Sequence, residues 1–380
     1  MNKQPVFIGS EIYRRPAFGG LHPLSISRHG AVVDICRSLG WLTEDNYRES
    51  PQAAFETLCA FHDRDYVEAL RAADAAGKVT EAQRLRYGFG TMENPLFPGL
   101  YERASTTVGG SILAAEIALA GGVAFSPGGG THHGRPGRAS GFCYFNDPVF
   151  AILTLLKGGC ARVAYVDLDA HHGDGVEAAF AGDERVRTIS VHEADKWPFS
   201  GRVGDRAGGF ARNAPAPAGF NDSELAFLME RFVTPFLARF RPQAVVVTCG
   251  ADSLKGDPLS GLCLSNVALQ KAVLALTGQA RGAVILGGGG YNPWTTVRCW
   301  AGLWGRIAGF AAPQSLPETA KAILSSFECD LVDEEDVEPF WLDRLDDPLN
   351  EGPVREEIRE IAAALMKSEP SEQFDLVTER

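Results

Sequence analysis

The strongest constraint in this 380-residue chain is a rhythm of short apolar runs set between longer helical stretches. The runs 5–8 (PVFI), 122–126 (GVAFS), 162–166 (RVAYV), 186–191 (VRTISV), 244–249 (AVVVTC) and 283–286 (AVIL) predict strands. They are nearly all apolar, as parallel strands covered on both faces are. Helical periodicity fills the gaps at 28–39, 64–76, 103–120, 146–157, 174–181, 222–240, 264–279 and 293–309. Asn221-Asp222-Ser223 before Glu224 marks one helix start. Alternating β and α predicts a doubly wound α/β unit with right-handed crossovers. From about Ala312 the chain changes character. It becomes Pro-punctuated and acidic (DLVDEEDVEPF), then helix-like (VREEIREIAAALMK), and reads as an appended segment with a frayed end.

Where the polar residues fall says more. Five runs end in unusual clusters: Pro-Gly-Gly-Gly-Thr-His132-His133 after 122–126, and Asp167-Leu-Asp169-Ala-His171-His172-Gly-Asp174 after 162–166. His192-Glu193 follows 186–191, Gly250-Ala-Asp252 follows 244–249, and four glycines with Tyr291 follow 283–286. In open α/β sheets the ligand crevice lies outside the carboxyl ends of the strands. Five of the eight histidines follow predicted strands, which scattered core histidines would not do.

DLDAHHGDG sets a carboxylate and an imidazole two residues apart. In an extended segment Asp169 and His171 point to the same side, and Asp252 can supply a third ligand. Asp/His/Asp with an open position suits catalytic Zn²⁺ or Fe²⁺. Metal-activated water chemistry also needs a base and an acid, roles His132 and His133 can fill. Asp167 and Asp174 are placed to stand behind them, although Asp174-x-x-Glu177 also reads as a capping box. GGGGYN fits neither a dinucleotide fingerprint nor a phosphate loop. Its glycines allow a tight turn beside the site, and Tyr291 after them can donate to a developing oxyanion.

Composition excludes some classes. With 48 Asp+Glu against 36 Lys+Arg the net charge is −12, unlike a protein that holds nucleic acid by bulk charge. The 45% hydrophobic content excludes a disordered chain. None of the eight Cys forms a CxxC pair, so they read as reduced thiols. No signal-peptide core or 18-residue apolar run is present, so a cytoplasmic setting without membrane contact is expected.

Together PGGGTHHG, SGFCYFND, VDLDAHHGDGVE, SVHE, CGADSLKGDPL and LGGGGYN…RCW resemble the histone deacetylase superfamily, which includes acetoin-utilisation proteins and acetylpolyamine amidohydrolases. The likeness runs from His22-Pro23 to Trp304. It implies a single-domain arginase/deacetylase fold with a central eight-stranded parallel sheet and helices on both faces. The chain then divides into a catalytic domain, 1–311, and an acidic extension, 312–380. The resemblance implies zinc on Asp169, His171 and Asp252, the catalytic pair His132 and His133 backed by Asp167 and Asp174, and Tyr291 on the oxyanion. Gly141, Phe142 and Phe199 match the walls of an acyl-lysine tunnel, Leu259 a residue near its mouth, and Glu93 an acidic rim residue. It also implies structural potassium. One site uses Asp167, main-chain groups of Asp169, His171 and Val191, and the Ser190 hydroxyl. A second uses main-chain oxygens near Phe180, Asp183 and Val186. Arg28, in HPxxxxR, matches an arginine that lines an internal channel proposed for acetate. The segments 193–218 and TMENPLFPG depart from the familiar pattern, and both border the tunnel mouth.

The implied reaction is hydrolysis of the amide of N-acetyl-lysine, in protein or peptide, or of a similar small acylated amine. A binuclear-manganese ureohydrolase would need an Asp two residues after His171, where this chain has Gly173. A non-catalytic acyl-lysine binder would have no use for the intact catalytic set.

Overall fold

The computed structural model describes residues 4–20 and 22–367. Its strands are β1 (Val6–Gly9), β2 (Tyr47–Glu49), β3 (Val123–Ser126), β4 (Val163–Asp167), β5 (Val186–Glu193), β6 (Ala211–Ala216), β7 (Ala244–Thr248) and β8 (Gly282–Leu286). They form one eight-stranded sheet in the order β2-β1-β3-β8-β7-β4-β5-β6. Every pairing is parallel. The strands that carry the five polar clusters, β3, β8, β7, β4 and β5, are consecutive in that order. Their carboxyl ends therefore open onto one crevice.

The six predicted strands are present with ends shifted by at most two residues, and β2 and β6 are additions. Those two are the outermost strands. Tyr-Arg-Glu in β2 and a proline within Ala-Arg-Asn-Ala-Pro-Ala of β6 are tolerable only there, since an edge strand can forgo a ladder donor.

The helices are α1 (Arg28–Ser38), α2 (Phe55–Leu58), α3 (Arg64–Ala76), α4 (Glu81–Tyr87), α5 (Leu100–Leu119), α6 (Asp147–Lys157), α7 (Asp174–Ala179), α8 (Asp222–Leu228), α9 (Thr234–Phe240), α10 (Asn266–Thr277), α11 (Pro293–Ile307), α12 (Glu318–Ser325) and α13 (Glu356–Met366). Alternate strand residues feed the two faces: Val163 and Tyr165 of β4 join the apolar layer under α5 and α6, whereas Ala164 and Val166 join the layer under α1, α10 and α11. The predicted helix 222–240 is split by a π-turn at Met229–Val233. Pro235 lacks an N–H, so the regular ladder cannot run through.

The segment after 311 packs on the α11 face. Leu324 accepts the Trp294 indole N–H (2.9 Å), and Arg344 O accepts Arg298 Nε (2.6 Å). Leu316, Trp341 and Ile358 enter the same apolar layer. The last ten residues, read as frayed from sequence, lie outside the described residues. Among the described residues no helix is long and apolar enough to cross a membrane.

Candidate active site

At the end of β4 the chain turns back on itself. Asp169 Oδ1 accepts the main-chain N–H of His171 (2.9 Å), so the pair is held by an Asx-type turn and not by the extended segment expected. The turn still faces both side chains toward Asp252, which follows β7. The donor atoms of Asp169, His171 and Asp252 lie within 4.8 Å of one another. His171 Nδ1 stands 2.9 Å from Asp252 and 3.3 Å from Asp169.

This set fits a divalent metal. Both carboxylates are fully buried, at 1% and 0% exposure, and share one imidazole nitrogen. Two buried negative charges so placed need a compact cation. Burial and the neighbouring Asp169 push Asp252 up to about 6, while His132 and His171 outweigh burial and pull Asp169 well below the usual carboxylate range. Glycine supplies the room: a Cβ on Gly289 would stand 2.0 Å from Asp252 Oδ2, and one on Gly250 would stand 2.2 Å from Asp169 Oδ2. Three protein donors leave open the position a catalytic site needs.

Beside the set lie the paired histidines, with rings 3.9 Å apart. His132 Nδ1 donates to Asp167 (2.7 Å) and His133 Nδ1 to Asp174 (2.8 Å). Their surroundings split them. Burial works against charge on His132, but Asp167 and Asp169 overcome it and hold the ring up to about 9. Burial and the charge of His132 push His133 down to about 3. The loop carrying them is pinned from α6, where Asp147 accepts the N–H groups of Gly130 (3.0 Å) and Thr131 (2.7 Å), and Asn146 Nδ2 donates to His132 O (3.1 Å). The end of SGFCYFND thus holds the histidine loop.

Asp174 does not cap its helix. Gly173 is the N-cap and makes no side-chain bond, and the Asp174 carboxylate is shared between His133 and Arg135. Burial aside, those same partners hold Asp174 below the usual carboxylate range. Arg135 was not singled out from sequence, although it stands two residues after the histidine pair. Tyr165 was missed too. Its hydroxyl donates to Asp167 (2.6 Å), and as an inward residue of β4 it read as ordinary core.

A cavity of about 330 Å³ leads outward from the triad and includes Gly141, Phe142, Leu259 and Glu93 in its lining. Glu93 Oε1 accepts the Gly141 N–H (2.9 Å), which fixes the rim to the wall. Phe142 stands 5.9 Å from the Tyr291 ring. Phe199 is not in this wall: its side chain is 72% exposed. Trp197 takes the place, edge-on to His133 at 4.5 Å between centroids, with its ring so close that a Cβ on Gly141 would meet it at 2.3 Å. The segment KWPF carries two aromatics two residues apart, and the family resemblance falls on Phe199. Tyr291 is buried at the base, and burial together with Asp252 raises its phenol well above 10, so it stays a donor.

The residues matched to potassium lie below this. Asp167 pairs with Ser190 across β4 and β5, next to Val191. Ser190 Oγ contacts His192 Nδ1 (2.8 Å). Phe180, Asp183 and Val186 form successive turns, with Phe180 O accepting Asp183 N–H (3.0 Å) and Asp183 O accepting Val186 N–H (3.1 Å). Arg28 is buried behind the triad and donates to Gly290 O (2.9 Å).

Comparisons with known proteins give the family and the fold. The family model described as the histone deacetylase domain matches residues 22–307. Acetoin utilization protein AcuC of Bacillus subtilis (strain 168) is 34% identical over 329 residues, 83% of this chain and 85% of that protein. Histone deacetylase 8 of Xenopus tropicalis is 34% identical over 299 residues, 77% of this chain and 80% of that protein. The crystal structure of a histone deacetylase homolog from Aquifex aeolicus superposes with a TM-score of 0.89 at 34% identity, covering 96% of this chain and 100% of that one. A structure of such a homolog complexed with SAHA gives 0.90, also at 34% identity and with the same coverage.

Proposed function

This chain belongs to the histone deacetylase family, and from that premise we propose that it is a zinc-dependent deacetylase cleaving the amide of N-acetyl-lysine, or of a similar acylated amine, to free amine and acetate. The observation that carries the reading is the adjacency of an Asp/His/Asp donor set to two buried histidines, each backed by its own carboxylate.

Zn²⁺ held by Asp169, His171 and Asp252, or Fe²⁺ on the same donors, would supply Lewis-acid polarisation of the acyl carbonyl and make water acidic enough to deprotonate near neutral pH. The protein's own groups do the rest. His133 is neutral, and because its Nδ1 donates to Asp174 its Nε2 is free to take the proton of the attacking water. The departing amine needs one proton, and the same imidazole can return it. His132, kept cationic by Asp167 and Asp169, places positive charge beside the developing oxyanion. Tyr291 donates to that oxyanion through its hydroxyl. The walls at Phe142 and Trp197 exclude water from an extended aliphatic arm. Potassium at the Asp167–Ser190 and Phe180–Val186 loops would be structural, and Arg28 would line an exit for acetate.

Lysine in a peptide is favoured over polyamine as the amine. The lining at the mouth is largely apolar and offers a single carboxylate, Glu93, where a free polyamine would need several. A ureohydrolase site is disfavoured locally, because a side chain at Gly173 would come within 2.2 Å of Asp167. All eight cysteines are free, which supports a reducing, cytoplasmic setting. The test is kcat/KM for acetyl-lysine peptides and acetylated polyamines on one zinc-loaded preparation, with and without chelator. Peptide hydrolysis abolished by chelator and restored by zinc is expected. Arginine hydrolysis with two metal ions per chain, or acyl-lysine binding without turnover, would refute the reading.

A further inference from the structure

The loop that carries Tyr291 has a soft backbone. Gly288 and Gly290 sit at φ of +138° and +142°, a region glycine enters freely and other residues do not. A phenol at the end of such a loop stays in place only if its main chain is held from outside.

The peptide unit between Gly290 and Tyr291 is held at both ends. Arg28 Nη1 donates to its carbonyl oxygen (2.9 Å). On the opposite side Asp257 Oδ2 accepts its N–H (2.7 Å). Both partners are buried, so each hydrogen bond is little weakened by water. A third contact comes from the C-terminal segment, where Cys329 Sγ donates to Tyr291 O (3.6 Å).

Asp257 also makes a bond with a bland explanation. Its Oδ1 accepts the N–H of Leu259 (2.9 Å), an ordinary Asx turn at an Asp-Pro step. That turn would form without any help from Tyr291. The bond to Tyr291 spans 34 residues and has no such local cause. The turn itself is kept in position from behind. Asn292 Nδ2 donates to Gly256 O (3.0 Å), and a Cβ on Gly256 would stand 3.1 Å from the Trp341 ring.

We infer that Asp257 is a positioning residue for the hydrolytic reaction: by gripping the N–H of Tyr291 against the pull of Arg28, it sets where the phenol stands over the substrate carbonyl. The inference rests on the role given to Tyr291 above. It differs from a stabilising role in one respect, since all of its effect on rate must pass through the Tyr291 hydroxyl.

A double-mutant cycle separates the two. Asp257→Asn keeps one side-chain oxygen but must turn its NH₂ toward either Leu259 N–H or Tyr291 N–H. Rates on an acetyl-lysine peptide are measured for wild type, Asp257→Asn, Tyr291→Phe and the double variant, each with metal content and thermal midpoint. In the wild-type background kcat should fall on the order of 100-fold, the cost of a misplacement of about 1 Å, while KM moves far less. In the Tyr291→Phe background the same change should cost less than about tenfold, because no hydroxyl remains to be misplaced. Equal losses in the two backgrounds would overturn the inference. Should the Asn variant fail to fold, Asp257→Glu, which keeps the acceptor on an arm one methylene longer, goes through the same cycle with the same criterion. A metal-loaded wild type that hydrolyses no amide would instead refute the role of Tyr291.

Discussion

Replacing Asp174 by Asn should switch off the base by turning one ring inside out. The carboxylate now serves two donors: Oδ1 takes the His133 Nδ1 proton at 2.8 Å, and Oδ2 takes Arg135 Nη2. An Asn side chain has one oxygen and one NH₂, so one donor must lose. Arg135 is permanently charged and has no acceptor to offer, so the amide oxygen goes to it. The NH₂ then points at His133 Nδ1, which can only respond as an acceptor. The proton moves to Nε2, the atom that faces the substrate, and no lone pair remains there to take a proton from water. Geometry is preserved while the base is lost, and such a tautomer error costs up to ~10⁴ where a histidine is the essential base. We expect a loss of ~10³ in kcat/KM, about 4 kcal/mol at 1.36 kcal/mol per decade. The mechanism makes a second, sharper demand. Arg135→Met alone leaves Asp174 free to hold His133 and should be mild. Combined with Asp174→Asn it frees the amide to rotate, and activity should recover about tenfold over Asp174→Asn alone. The assay is steady-state hydrolysis of an acetyl-lysine peptide on variants of verified metal content. A double variant no more active than Asp174→Asn would refute the tautomer argument, and retention of more than a tenth of wild-type activity by Asp174→Asn would refute the role of Asp174 itself.

Two further outcomes test the tunnel wall and the C-terminal segment. Trp197→Ala should raise KM for an acetyl-lysine peptide by roughly tenfold, the scale of a lost aromatic contact, whereas Phe199→Ala, removing an exposed ring, should change kcat/KM less than about twofold. The reverse ranking in peptide kinetics would show that the wall is built the other way. Trp341→Ala removes a buried indole stacked on Trp294 and should cost about 3–5 kcal/mol in reversible denaturation, and a loss under 1 kcal/mol would show that the segment is dispensable to the core.

Legibility in the sequence followed burial. Six strands are largely apolar runs because both sheet faces are covered, and they stand out for that reason. The two edge strands carry Arg48 and Glu49 at one side and Pro215 at the other, so no apolar run marks them. The donor set and the histidine pair were legible because their chemistry is packed into short strings at strand ends. Partners reached through space were not. Nothing in GRPGR ties Arg135 to Asp174, and nothing in KGDPL ties Asp257 to a tyrosine 34 residues away. Trp197 and Phe199 differ by two residues in a loop with no period to say which faces inward. Positive φ at Phe199 (+60°) turns it out, and that is a tertiary outcome.

The arrangement also explains how two adjacent histidines come to do different work. They share a loop, a depth of burial and a carboxylate partner each, and burial alone would make both neutral. What separates them is the charge around each ring. Asp167 also accepts from the neutral Tyr165 hydroxyl and the Asp169 N–H, so among its side-chain partners only His132 brings positive charge. Asp174 is shared with the cationic Arg135, and its pull on His133 is outweighed by burial and by the charge of His132. His132 additionally lies 3.8 Å from Asp169, and once it is charged it repels a second proton on the ring 3.9 Å away. The extra carboxylate at Asp169 is therefore what sets one ring as a fixed positive charge, and that charge, added to burial, is what leaves the other as a neutral base.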